Sequence, residues 1–174
     1  MIKKPLFFLT ILFLFFNFKT LSANNITYLD FKYVLNESVA GKKAQDYLKN
    51  KLDKGIKQLK TKEAAIQEEE KKIIQQKKVL SPEEYKKQIT SLRSKVSSLQ
   101  KEKQKILETV AKERAFAKNE LLNNLNPLLI EYMKNNNIKM VIDKKNLIRA
   151  DQSLDITKEI VSQLNKKIKK VSFK

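Results

Sequence analysis

Between Leu48 and Val110 the apolar positions fall into two heptad seams that approach one another along the chain and meet at Ser81-Pro82-Glu83-Glu84. The first seam is Leu52, Leu59, Ile66, Ile73 and Leu80, one apolar residue in seven, with Leu48 and Ile56 beside its start. The companion slot that a full coiled coil fills with a second hydrophobe is polar here, at Lys62 or Glu63, at Glu69 or Glu70, and at Gln76 or Lys77. The second seam steps by three and four through Ile89, Leu92, Val96, Leu99, Lys103, Ile106 and Val110, and only Lys103 interrupts it. Folding the chain back near residue 81 sets Ile73 against Ile89, Ile66 against Val96 and Leu52 against Val110, so one register satisfies all layers. The pattern predicts a long antiparallel helical hairpin.

The turn carries its own chemistry. Ser81 is placed to cap the second helix, Pro82 suits its first position, and Glu84 can return a hydrogen bond to the Ser81 amide, a capping box of the kind that contributes about 1 kcal/mol. The residue before a proline avoids helical geometry, so the first helix is predicted to end near Val79 or Leu80. From about Lys42 to Val79 it would extend about 55 Å at 1.5 Å per residue.

The flanks read differently. Ile26-Thr27-Tyr28-Leu29-Asp30 alternates like a short strand, Val34 and Leu35 follow, and a turn from Ser38 to Ala44 hands over to the first helix. The second helix runs on through Phe116, Leu121, Leu122 and Leu125 to Asn126-Pro127, where a missing amide donor predicts a kink or a restart. Leu128, Leu129, Tyr132 and Met133 then form a richer apolar face, and Asn135-Asn136-Asn137 ends the helix. Ile138 to Asp143 is a second strand, Asp143-Lys144-Lys145-Asn146 a candidate hairpin turn, and Leu147 to Ala150 its candidate partner. Asp155 is expected to cap a last helix whose Ile156, Ile160, Val161, Leu164 and Ile168 share a face. The fold class that follows is α+β: a small β-containing oligomerisation body with a long antiparallel, coiled-coil-like α-helical hairpin inserted as a projecting arm. Residues 24–41 and 127–174 form the body and 42–126 the arm, with its tip near 80–84, in one chain without linker or repeat.

Ahead of this, Lys3 and Lys4 precede an apolar run from Leu6 to Phe16, and Leu21-Ser22-Ala23 offers a cleavage site. The run is about half the length of roughly 20 residues that a spanning helix needs, so residues 1–23 read as a cleaved signal peptide with Asn24 as the mature start. No other segment reads as membrane-spanning. An exported domain without cysteine has no disulfides to hold it, and one with so thin a seam is expected to find support in oligomerisation.

Candidate chemistry narrows by composition. The chain has no histidine and no cysteine, which removes the usual zinc and copper ligands, the common general bases and the thiol nucleophile. Gly41 and Gly55 are the only glycines, too few for a Walker loop or a dinucleotide-binding turn. The runs Glu68-Glu69-Glu70 and Glu83-Glu84 read as solvated charge. No catalytic residue, metal or cofactor is expected, and the chain does not read as an enzyme. Lysine and arginine number 37 against 19 acids, a net charge of +18; Lys3, Lys4 and Lys19 leave with the signal, giving 34 against 19, or +15. Such a field draws anionic partners in a salt-dependent way, although part of the excess also reads as lysine drift on solvated helix faces. The arm lysines are interleaved with acids and form no basic block of the density that DNA-binding helices carry, so nucleic acid is not an expected partner. Intermittent apolar residues on long cationic helices suit broad, weak engagement of unfolded chains. The candidate contacts are Ile56, Ile74, Val79, Tyr85 and Leu107 with Lys72, Lys87 and Lys105, whose plainer reading is ordinary surface or seam.

The ends of the chain resemble the periplasmic Skp/OmpH chaperone family. The front resemblance lies in Ile26, Tyr28, Leu29, Asp30, Val34 and Leu35, followed by Ser38, Ala40, Gly41, Lys42 and Ala44. The rear resemblance lies in Ile138, Val141, Ile142 and Asp143, then Asn146, Ala150, Asp151 and Ser153, and Asp155-Ile156-Thr157 with Ile160 and Val161. A lysine-rich hairpin of suitable length lies between them. The resemblance implies a homotrimer, with Ile26, Tyr28, Val141 and Ile142 in the trimer body and the hairpins projecting around a client cavity. It also implies an ATP-independent periplasmic holdase that keeps unfolded outer-membrane β-barrel precursors soluble before membrane insertion. Anionic lipid or lipopolysaccharide is a further partner it suggests, with no local motif here to place it. The rival from another class is a structural periplasmic coiled-coil tether or adaptor without chaperone activity. The sparse first seam stays open between arms that splay to fit clients and stiff arms in which Lys62, Glu63, Glu69 and Gln76 pair across the hairpin.

Overall fold

The structure is a computed structural model that describes residues 26–173; the expected signal peptide lies outside the described residues. Strand β1 (Ile26–Leu29) leads through Asp30, whose carboxylate accepts from the Tyr33 amide at 2.8 Å, into the short helix α1 (Phe31–Glu37). Ser38 then breaks the helical path with an extended backbone, and its buried hydroxyl accepts from the Gly41 amide at 3.1 Å to start α2 (Val39–Gln76). The corner is tight enough to require a glycine: a Cβ on Gly41 would stand 1.9 Å from the Leu35 carbonyl oxygen.

Helix α2 ends at Gln76, short of the expected Val79 or Leu80. The Val79 and Leu80 amides both bond the Gln76 carbonyl at 3.0 Å, a tightened turn that delivers Ser81 to its capping position. There Ser81 Oγ accepts from the Glu84 amide at 3.2 Å and Glu84 Oε2 accepts from the Ser81 amide at 3.3 Å, which is the expected capping box opening α3 (Pro82–Asn135). Helix α3 continues through Pro127 without the expected restart. Leu125 and Leu128 on either side of the proline are buried in the body, while Asn123, whose carbonyl loses its donor, faces water. Packing thus holds a turn that local propensity alone would open. The helix stops in a Schellman arrangement: Ile138 donates to the Met133 carbonyl at 2.8 Å and Asn137 to that of Lys134 at 3.4 Å, with Asn137 at φ 55° in the left-handed region.

Strand β2 (Met140–Asp143) pairs with β1 in parallel, Ile26 beside Met140 through Leu29 beside Asp143. A parallel pair needs a long crossover, and the whole hairpin serves as that crossover. The hairpin expected after Asp143 does not form. Asp143 captures the Lys145 amide at 3.3 Å and closes a single 3-10 turn over Lys144–Asn146, and Leu147 to Ala150 takes no strand. A two-residue hairpin turn needs residues with positive φ, and among the described non-glycine residues only Asn137 has one. The other edge of β1 is met instead by a bridge to Asp155, with the Ile156 amide donating to the Tyr28 carbonyl at 3.1 Å.

Helix α4 (Thr157–Lys167) closes the body. Asp155 works one place ahead of the formal cap, accepting from the Thr157 amide at 2.9 Å and from the Thr157 hydroxyl, while that hydroxyl accepts from the Asp30 amide at 2.9 Å. Leu29, Val34, Leu125, Leu128, Ile156, Ile160 and Leu164 form the body core. A second cluster, Ala40, Ala44, Ala117, Leu121 and Val171, sits where α2 and α3 leave it.

Candidate binding surface on the helical arm

Three ion pairs cross between α2 and α3: Lys51 with Glu113 at 2.5 Å, Lys62 with Glu102 at 2.6 Å, and Glu69 with Lys95 at 2.6 Å. Partner numbers fall along α3 in step as they rise along α2, so the two helices run in opposite directions. Alanines at the root let the backbones approach closely. Further out Gly55 is buried against Ile106, where an added Cβ would stand 2.9 Å from the Ile106 Cγ2 methyl. Beyond Gly55 the seam thins to the spacing read from the sequence, and the polar slots at Lys62 and Glu69 are filled by cross-helix ion pairs.

Those pairs shift one seam position. Lys95 turns toward Glu69, and a step of about 100° per residue then carries Val96 outward. Val96 is 41% exposed, so the position expected opposite Ile66 is left partly open to water. Ile66 instead lines a hollow of about 290 Å³ with Leu99, closed by the Lys62–Glu102 and Glu69–Lys95 pairs.

The candidate contacts divide into two groups. Ile56 and Leu107, 41% and 52% exposed, are brought together on one open groove of about 330 Å³ floored by Leu52, Leu59, Leu99 and Ile106. Ile74, Val79 and Tyr85 lie toward the tip, the first two 61% and 82% exposed, and the Tyr85 ring half-buried with Lys77 Nζ 5.9 Å from its centre. Ile56 and Ile74 stand about 27 Å apart along α2, so no single pocket unites the groups. Lys72, Lys87 and Lys105 are exposed around them. A hydrogen bond and charge from Glu113 hold the Lys51 ammonium above the usual lysine range, and Glu113 is the least exposed of the six paired side chains.

The four residues expected in the trimer body all lie in the β1–β2 pair and differ in exposure. Tyr28 is buried within its own chain, and burial together with the nearby Asp155 charge raises its phenol. Val141 packs on the body core and Ile142 is half-buried. Ile26 stands half-exposed beside the equally exposed Met140 at the open end of the strand pair. Among the described residues the sheet holds β1 and β2 alone, leaving the outer edge of β2 without a strand partner.

One constellation escapes the heptad reading. Phe173, after the last helix, stacks on Tyr47 of α2 with ring centres 4.3 Å apart, and lies 6.4 Å from the Phe116 ring of α3. Lys51 Nζ lies 5.6 Å from the Tyr47 ring, which joins this aromatic group to the Lys51–Glu113 pair. Its only trace in the sequence is two apolar residues, Val171 and Phe173, after a lysine-rich run.

No curated protein sequence matches the chain. A solved structure of an OmpH-like protein from Caulobacter crescentus CB15, assigned as an outer membrane chaperone, superposes with a TM-score of 0.80 over 86% of this chain and 88% of that one. The two are 19% identical, a likeness of fold. The family model for OmpH-like outer membrane proteins matches residues 25–164, from the start of β1 through both arm helices and β2 into α4. By that match, which takes in the strand pair, the arm and most of the body, the chain belongs to the OmpH-like family.

Proposed function

We propose that this protein is an ATP-independent holdase chaperone of the periplasm that binds unfolded outer-membrane β-barrel precursors and keeps them soluble until membrane insertion. The observation that carries the reading is the arm surface: Ile56, Ile74, Val96 and Leu107, on helices of 38 and 54 residues, and Val79 in the turn between them remain at least 41% exposed among lysines. A chain that only needed a stable hairpin would gain by burying them, since a fully buried Leu, Ile or Val side chain is worth about 1.5–3 kcal/mol. Spread along roughly 35 Å of the arm from Ile56 to the tip, they give several modest contacts and no shaped pocket, which suits an extended unfolded client and a binding mode that is multivalent and reversible. No nucleotide, metal or catalytic step enters this reading.

The body is proposed to trimerise through the open edge of β2 and the exposed Ile26 and Met140. A lone strand pair with an unpaired edge is a template for further pairing. The test is light scattering on the chain from Asn24 onward, alone and with a urea-unfolded outer-membrane barrel diluted into it. A trimer that holds the barrel in a defined soluble complex is the expected result. A single saturable partner, with the barrel aggregating unchanged beside a monomer or dimer, would instead make the protein a tether.

A further inference from the structure

The family match ends at Leu164, yet the chain continues for ten residues and nine of them are described. After α4 the segment Ile168 to Phe173 turns back over the root of the arm. Ile168 packs against both apolar clusters, Val171 is 8% exposed within the root cluster of Ala40, Ala44, Ala117 and Leu121, and Phe173 lies over Tyr47 and near Phe116. One short segment therefore touches α2 through Tyr47 and α3 through Phe116 at the height where the two helices leave the body. Asn165 adds a fastening just before it, its side-chain oxygen accepting from the Val39 amide at 2.7 Å at the start of α2.

We propose that the C-terminal segment is a strap that ties the root of α2 to that of α3 and sets how far the arm opens. The proposal does not depend on what the arm binds. Three observations support a releasable tie rather than another core element. Among the described residues, no backbone hydrogen bond or ion pair holds residues 169–173, so side-chain packing alone keeps them in place. Tyr47, on whose ring it stacks, is 41% exposed, so the joint lies at the surface. The layer under the strap also continues into the open: Ala44, Ala117 and Leu121 line a groove of about 640 Å³ that runs up between the helices past Leu48, Leu52 and Val110. Lifting the strap uncovers the root cluster and removes the packing through which Val171 and Phe173 join the chain end to both arm helices.

The test is hydrogen exchange on the full chain with Phe173→Ala and Phe173→Tyr. Losing the ring should speed exchange by about tenfold at the arm root, over residues 44–55 and 110–121, while residues 26–34 and 156–164 keep parental rates. Phe173→Tyr retains the stack and should keep the parental pattern, which separates the strap from a mere loss of fold. Unchanged root exchange in Phe173→Ala overturns the proposal. So does acceleration spread evenly through the body, or a Phe173→Tyr chain that opens as far as Phe173→Ala.

Discussion

Gly41 and Ser81 are both residues at helix starts, and the structure gives them unequal weight. At Gly41 an alanine Cβ would meet the Leu35 carbonyl at 1.9 Å, and that obstacle is backbone that cannot swing aside. Gly41→Ala should cost about 3 kcal/mol, the upper range for overpacking, and chemical denaturation would register it as a global loss because the α1–α2 corner carries Val34 and Ala40 into both clusters. Ser81 sits at an exposed tip, so Ser81→Ala should cost about 1 kcal/mol locally, seen as faster amide exchange over residues 77–90 with little change in global midpoint. The same cap has a pH signature. Hydrogen bonds from the Ser81 hydroxyl and amide hold the Glu84 carboxyl below its ordinary value of 4.5. A depressed carboxyl contributes stability that is full above its unfolded value and is lost as pH falls through the lowered folded one. Protection of the tip amides relative to their intrinsic exchange rates should therefore be constant above about pH 5 and fall in acid, with Ser81→Ala flat across that window.

Along the two long helices the decisive contact is Gly55 against Ile106. Replacing a mid-helix glycine by alanine gains about 1 kcal/mol of helix propensity, but here the new methyl would press on the β-branched Ile106 at 2.9 Å. Gly55→Ala alone should be neutral or destabilising; in an Ile106→Ala background it should stabilise by about 1 kcal/mol. Urea unfolding of the four chains of that cycle measures the sign change directly. How much was legible follows from the same elements. The seams, the tip cap and the Asn137 stop could be read because each is written in consecutive residues with a fixed period or offset. Val96 is more open than the heptad implies, because the face of α3 that meets α2 there runs through Leu92, Lys95 and Leu99, with Lys95 paired to Glu69. The partner of β2 was missed because its pairing with β1 joins residues more than a hundred positions apart, and local turn chemistry pointed instead to Leu147–Ala150. Exposure of Ile56 and Leu107 could be anticipated from their places beside the seams; that they share one groove depended on the register. The strap left no periodic signal at all.

At the scale of the whole molecule, charge and apolar surface act at different moments. A chain of net charge +15 from Asn24 onward surrounds itself with a positive potential that reaches about 30 Å at 0.01 M salt and about 3 Å at 1 M. The exposed Ile74, Val79 and Leu107 act only at contact. If the arm captures unfolded barrels as proposed, an acidic client should associate faster than a neutral one at low salt, and raising the salt across that range should slow its capture by at least about tenfold. Its release should change far less, because apolar contacts screened from water by the client itself do not weaken with ionic strength. Stopped-flow fluorescence of a labelled acidic barrel would separate the two rates. Equal salt sensitivity in release would mean that lysines such as Lys72, Lys87 and Lys105 hold the client as well as attract it. Replacing these three by glutamine should then shorten the lifetime of the complex, whereas on the present reading it should only slow its formation.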